Sequence, residues 1–373
     1  MTVLTIHATN VTGLGASQVV VSFLEAMETL ETDYARMDCH VPEKGPVAEY
    51  VPRTDKLKML PFRRKGPKAL SRVLECLFPG SFFEIGEHLI VLGDVPLRTS
   101  RKQVVLVHQS HLQSPRVNPW AGRTAIFRVM RTLTRLNASY ANCVITQSDA
   151  MAAGLRGSYR NWAKRNCIKV IGQPPPSWFA PSRRVSVNRQ AGRGLRLFFP
   201  AAGYPHKNHT IFENLLSQDL EHLIDRLVLT VPRSRFPDGP GWLFCVGHLS
   251  QTKCLSEYDK ADALIFPSVL ESYGLPLVEA MVLGIPIVAA DLPYARALCG
   301  DQGIYFNPTS AASLIEACKI LKERLNEGWW PDWSSRLENL PRTWEVVAQG
   351  FIDELKQSDR GSPRSGCDEE IID

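Results

Sequence analysis

Short apolar runs of strand length alternate with helical patterns along this chain, and the alternation happens twice. Residues 3–7, 88–92, 103–108 and 143–146 read as strands, and the first is followed by a helical pattern with Val19, Val20, Phe23, Met27 and Leu30. An amphipathic stretch at 123–140 carries Ile126, Val129, Met130, Leu133 and Leu136. Strands separated by helices cannot close hairpins, so they are expected to pair in parallel with helices on the sheet faces. The series halts at the Pro-rich residues 173–177 and the Arg-rich polar stretch 181–194, where a linker is expected. It resumes with strand patterns at 195–200, 227–231, 242–246, 263–267 and 286–290, then helices at 311–325 and 344–357. The expectation is an α/β chain of two Rossmann-like domains, 1–180 and 195–342, with a closing helical segment at 343–357. The polar residues 358–373 are expected to be a disordered tail.

At 373 residues, 44% hydrophobic and 22% charged, the chain has enough apolar material for two cores. It opens with no basic-then-apolar leader pattern, and its apolar runs fall far short of the roughly 20 residues that span a bilayer. A cytoplasmic protein is expected. Nine cysteines lie scattered without a C-x-x-C pair, which supports neither a disulfide framework nor a structural zinc site. Charge is uneven: residues 1–185 hold 25 Lys and Arg against 13 Asp and Glu, and the remainder holds 18 against 25. Within 53–78, Arg53, Lys56, Lys58, Arg63, Arg64, Lys65, Lys68 and Arg72 alternate with Leu57, Met59, Leu60, Phe62, Leu70 and Leu74. Such a mixture suits peripheral contact with an anionic membrane, here the inner face of the cytoplasmic membrane; a solvated basic loop and helix is the other reading. Nucleic acid is not expected as a partner, because no binding motif accompanies the charge.

Chemistry concentrates in PSVLESYGLPLVEAMVLGIPIVAAD, residues 267–291, where Glu271 and Glu279 stand eight apart around a turn and a helix start. The strand pattern at 263–267 precedes it, Pro276 suits an early helical position, and Gly284 with Pro286 ends the helix. Glu279 is then expected in the first helical turn. Helix-start amides lack intrahelical partners, and Leu275 offers no capping side chain. A phosphate could satisfy those amides and carboxylates could accept bonds from sugar hydroxyls, which together describe a nucleotide sugar. Each glutamate alone would also serve as an ordinary dipole partner or loop carboxylate.

This stretch resembles the E-x7-E signature of family 4 glycosyltransferases, retaining enzymes of the GT-B fold. Ser268, Glu271, Ser272, Gly274, Leu275, Pro276, Glu279, Ala280, Gly284, Pro286, Val288 and Asp291 all fall on that pattern. The resemblance implies that Glu271 contacts hydroxyls of the transferred sugar, that the Gly274 and Leu275 amides approach sugar and phosphate, and that Glu279 holds the ribose. FPAAGYPHKNH at 199–209 resembles the family's phosphate-neutralising segment, with Lys207 in the lysine position and Gly203 in the preceding turn. Tyr204 stands where an arginine would give Lys207 its usual companion. The Pro-His-Lys-Asn form is similar to bacterial surface-polysaccharide members, with a mannosyl donor implied only weakly.

Two further features sit at expected strand ends. Gly13 and Gly15 do not complete G-x-G-x-x-G, because Gln18 fills the last position, and a dinucleotide fingerprint is excluded. They either serve a tight turn or, as the resemblance implies, approach the donor diphosphate from the first domain. His108 follows the apolar run at 103–107, where the crevice of a parallel sheet opens, and the family often has a histidine there. The reading is a metal-independent hexosyltransferase taking a nucleoside-diphosphate sugar and a saccharide acceptor, lipid-linked in surface-polysaccharide synthesis, with no cofactor or metal. A nucleotide-sugar epimerase and a non-catalytic sugar-nucleotide-binding scaffold are the alternatives.

Overall fold

A computed structural model describes residues 2–64, 66–118, 120, 125–179 and 193–357. The expected linker, apart from residues 193 and 194, and the expected tail at 358–373 lie outside the described residues. Two sheets organise the rest. The first has seven strands in the order β3-β2-β1-β4-β5-β6-β7, and the second six in the order β10-β9-β8-β11-β12-β13. Every pairing in both is parallel.

In the first sheet β1 (Val3–His7) lies between β2 (Arg36–Pro42) and β4 (His88–Val91), with β3 (Leu57–Phe62) at one edge. On the other side follow β5 (Lys102–Leu106), β6 (Cys143–Thr146) and β7 (Ile168–Val170). In the second, β8 (Leu195–Phe199) lies between β9 (Ile224–Leu229) and β11 (Ala263–Phe266); β10 (Leu243–Cys245), β12 (Ile287–Ala290) and β13 (Ile304–Phe306) complete it. β11 and β12 are buried on both faces, which is why they read as unbroken apolar runs. In each sheet the chain winds outward, then returns to the other side of its first strand. That reversal opens a crevice at the carboxyl ends of β1 and β4, and another at those of β8 and β11.

Three short α-helices matter below: α1 (Leu14–Thr29), α2 (Lys68–Leu77) and α3 (Ala125–Asn137). The last helix, Trp344–Gln357, returns to the first sheet. Its Val347, Ala348, Phe351 and Leu355 are fully buried in the same core as Leu4, Ile6 and Phe23, with the Phe23 and Phe351 rings 4.9 Å apart. At about 25 cal/mol per Å² of apolar surface removed from water, this face ties the end of the chain to its beginning by several kcal/mol.

Some elements differ from the sequence expectation. β9 begins three residues before 227, and β5 stops at Leu106, so His108 stands beyond the strand rather than ending it. β2 shows no apolar run because Asp38 and His40 are buried within it. The basic segment at 53–78 is partly sheet: Lys56 precedes and Lys58 lies within an edge strand whose Leu57 is buried, a common protection for an exposed strand edge. Among the described residues, no helix is long and apolar enough to cross a membrane.

Candidate active site

The two crevices face each other and merge into one cleft of about 1800 Å³. Gly13, Gly15, His108, Lys207, Glu271, Gly274, Leu275 and Glu279 all line it. Gly203 does not; it is exposed, and Ala202 and Tyr204 line the cleft on either side of it.

Gly13 caps α1 and Gly15 lies in its first turn, so the expected glycine loop is a helix start. Neither glycine has a positive φ, and a Cβ at either would meet nothing within 4 Å. A strained turn is therefore not what these glycines serve. Their missing side chains leave the α1 amides open to the cleft.

Opposite stands the helix Leu275–Leu283, capped by Gly274 at φ 104. A side chain is strained at that φ, and a Cβ would also come within 3.0 Å of the Leu277 side chain. No side chain caps the helix, so its first amides also face the cleft. Because the helix begins at Leu275, Glu279 is its fifth residue and lies in the second turn, not the first. It is nearly fully buried and accepts a 2.7 Å hydrogen bond from the Tyr258 hydroxyl. Burial pushes its carboxyl up to about 7, against the opposing effect of that hydrogen bond. Tyr258, which no sequence pattern singles out, arrives from the helix Gln251–Lys260.

Lys207 closes a 3-10 turn, Pro205–Lys207, after β8, and its Nζ lies 2.6 Å from Glu271 Oε1. The two residues the sequence singled out separately form one ion pair on the cleft wall. Burial, then the neighbouring Lys207 charge, lowers His206 to about 4, so it is neutral at pH 7. Its ring stacks parallel to Tyr204 at 5.6 Å and meets His111 of the first domain edge-on at 5.7 Å. Tyr204, in the arginine position, thus orders His206 instead of supplying charge.

His108 is positioned by Asp94, a residue the sequence reading missed. Asp94 follows β4 at φ 70, and its Oδ1 accepts from the backbone amides of His108 (2.8 Å) and Gln109 (2.9 Å). Its Oδ2 lies 3.7 Å from His108 Nε2. Three more hydrogen bonds join the halves behind the site. Ser148 donates to the Ser272 carbonyl at 2.8 Å, while the Tyr273 hydroxyl donates to the Gln173 carbonyl and accepts from its amide. Glu271 and Gly274 thereby flank two residues, Ser272 and Tyr273, that bond to the first domain.

Residues 239–323 match the family described as "Glycosyl transferases group 1". Over 100 residues the chain is 32% identical to the O-antigen chain mannosyltransferase RfbU of Salmonella typhimurium, an alignment covering 27% of this chain and 25% of that one. It is 28% identical over 114 residues to the serotype-specific mannosyltransferase WbdA of Escherichia coli, covering 28% and 14%. The chain thus spans about a quarter or less of the length of the curated relatives it matches. Solved structures align over nearly the whole chain. A sucrose-phosphate synthase from Thermosynechococcus elongatus gives a TM-score of 0.71 at 15% identity, covering 97% of this chain and 100% of that one. WaaG, a glycosyltransferase involved in lipopolysaccharide biosynthesis, gives 0.65 at 13%, covering 94% and 99%. Anabaena HepE in complex with UDP and glucose gives 0.58 at 15%, covering 96% and 99%. At these identities the likeness is one of fold, and the fold is GT-B: two Rossmann-like domains across a cleft.

Proposed function

We propose that the chain is a retaining hexosyltransferase that moves a sugar from a nucleoside diphosphate to a saccharide acceptor, lipid-linked, in surface-polysaccharide synthesis. One observation carries the reading: the Lys207–Glu271 pair lies on the same cleft as two uncapped helix starts, one from each domain. A nucleoside diphosphate leaving group develops negative charge as the anomeric carbon becomes positive. Fixed cations and amide dipoles stabilise that change without reorganising. In this reading Lys207 and the amides at Gly274, Leu275, Gly13 and Gly15 hold the diphosphate, Glu271 orients the sugar hydroxyls, and Glu279 accepts from the ribose. His108, steadied by Asp94, faces the transferred sugar from the first domain. Charge neutralisation falls to Lys207, not to a metal ion, and Glu271 takes sugar hydroxyls as Lys207 turns toward phosphate. The matched segments of mannosyltransferases RfbU and WbdA support the acceptor class and favour a mannosyl donor.

The test is release of nucleoside diphosphate from a panel of sugar nucleotides, supplied with lipid-linked saccharide extract, by wild type, Lys207→Ala and Glu271→Ala. The reading expects acceptor-dependent release with one donor and at least a hundredfold loss in each variant. Conversion of the sugar nucleotide to its epimer without acceptor and without transfer would instead indicate an epimerase. Unchanged turnover in both variants would refute the site.

A further inference from the structure

Two helices beside the cleft turn part of their apolar surface away from the core. A helix on a sheet ordinarily turns its apolar stripe to the core and its charges to water. α2 packs Cys76 and Leu77 on the core but buries Ser71 and Glu75 beside them, and leaves Leu70 56% and Leu74 37% exposed. α3, packed against α2, buries Arg131 and leaves Ile126 57% and Val129 46% exposed. Exposing this much apolar surface on neighbouring helices marks a binding surface.

The surface continues inward. Ala69 and Val73 of α2 face the cleft together with Ile126, Val129 and Met130 of α3, forming an apolar-walled groove. Its inner end is charged. The Glu75 carboxylate, with no exposed surface, accepts from Arg64 Nε at 2.6 Å and Arg64 Nη2 at 3.0 Å, and Arg72 Nη1 lies 3.5 Å away. Burial opposes ionisation of Glu75, but the Arg64 hydrogen bond and the Arg72 charge outweigh it and hold the carboxyl below its ordinary value. One carboxylate thus faces two guanidinium groups, leaving an excess positive charge. Both arginines line the cleft, and Arg72 also donates to the Gly93 carbonyl, next to the Asp94 that positions His108.

We propose that the α2–α3 groove binds the phosphate ester of a long apolar alcohol, the chain lying between the helices and the phosphate on Arg64 and Arg72. The charge excess at the inner end selects a phosphate, and the apolar walls select the chain attached to it. The inference rests on the reading of a lipid-linked acceptor and gives that acceptor its subsite. A sugar joined to the phosphate would then point past Arg72 toward His108.

The experiment titrates the full chain with farnesyl phosphate, inorganic phosphate and farnesol, using calorimetry. Farnesyl phosphate is expected to bind at least tenfold more tightly than either part alone. Ala69→Trp, at an exposed position, fills the groove and lowers that affinity at least tenfold. The triple variant Arg64→Gln, Arg72→Gln, Glu75→Gln, which leaves no buried charge unpaired, lowers it similarly. Equal binding of inorganic phosphate would reduce the site to a free anion site, and equal binding of farnesol to an apolar surface; either overturns the proposal. So does binding to phosphatidylglycerol vesicles that Ala69→Trp leaves unchanged while farnesyl phosphate fails to compete, which would make the face a membrane surface. Nucleoside diphosphates titrated into the same samples separate the two claims. Their binding without farnesyl phosphate binding sinks the groove alone; the converse sinks the transferase reading and leaves the groove.

Discussion

Glu279→Gln should stabilise the protein above pH 7 and leave it unchanged below about pH 4.5. The ionised carboxylate is disfavoured by burial, which holds it up to about 7 against an ordinary value of 4.5. Between those values the folded state binds a proton that the unfolded chain has lost, so this group's contribution to stability falls as pH rises through the window. A gap of that size, at about 1.4 kcal/mol per unit, is roughly 3 kcal/mol, lost in full above pH 7 and absent below 4.5. Glutamine keeps an oxygen for the Tyr258 hydroxyl and carries no charge. His206 and His209, both lowered to about 4 chiefly by burial, act in the opposite direction, costing stability as pH falls below 6.5. The difference between variant and wild type cancels them. Urea unfolding at pH 4.5, 6 and 8 therefore reads Glu279 directly, with a gain growing from near zero to about 3 kcal/mol. A gain independent of pH, or a loss at pH 8, would refute the argument that this carboxyl is held protonated by burial. The same substitution should weaken nucleoside diphosphate binding, since Glu279 is the proposed ribose contact.

Gly274→Ala meets a left-handed φ and a crowded Cβ, and should cost about 1–2 kcal/mol in unfolding free energy while weakening diphosphate binding. Lys207→Met leaves Glu271 without its 2.6 Å partner and should cost about 2 kcal/mol. Adding Glu271→Gln should recover most of that stability and none of the turnover, which a double-mutant cycle with parallel activity assays resolves. Asp94→Asn suits the left-handed backbone and can still accept from the His108 and Gln109 amides. Its stability should stay within about 1 kcal/mol while turnover falls tenfold or more, and an unchanged rate would remove His108 from the site.

The parts of this fold that the sequence disclosed are those whose partners are close along the chain. β6 and the helix Trp344–Gln357 match their expected bounds, because each pattern is uninterrupted and its ends carry clear breaks. The glutamates, Lys207 and the glycine loop were legible because a strand, a turn and a helix start fix their relative placement locally. What escaped was set by strand order. Asp94 reaches His108 only because β4 and β5 are neighbours, and Tyr258 reaches Glu279 only through packing of separate helices. Glu279 itself was misplaced by one turn, since the helix begins as soon as Gly274 turns the backbone, before Pro276. The basic stretch at 53–78 divides among several elements that its sequence does not separate. Leu57 belongs to an edge strand and Arg64 and Arg72 to a buried ion cluster, while the exposed apolar residues are shared between α2 and α3, far apart in sequence.

The proposed donor site holds a nucleoside diphosphate between Lys207, the Gly274 helix start and Glu279. Calorimetric titration of wild type and Lys207→Met with GDP, UDP, ADP and dTDP tests it most directly. Selective binding of one diphosphate by wild type and at least tenfold weaker binding by the variant are expected. Binding of none of them, or equal binding by both proteins, would contradict it.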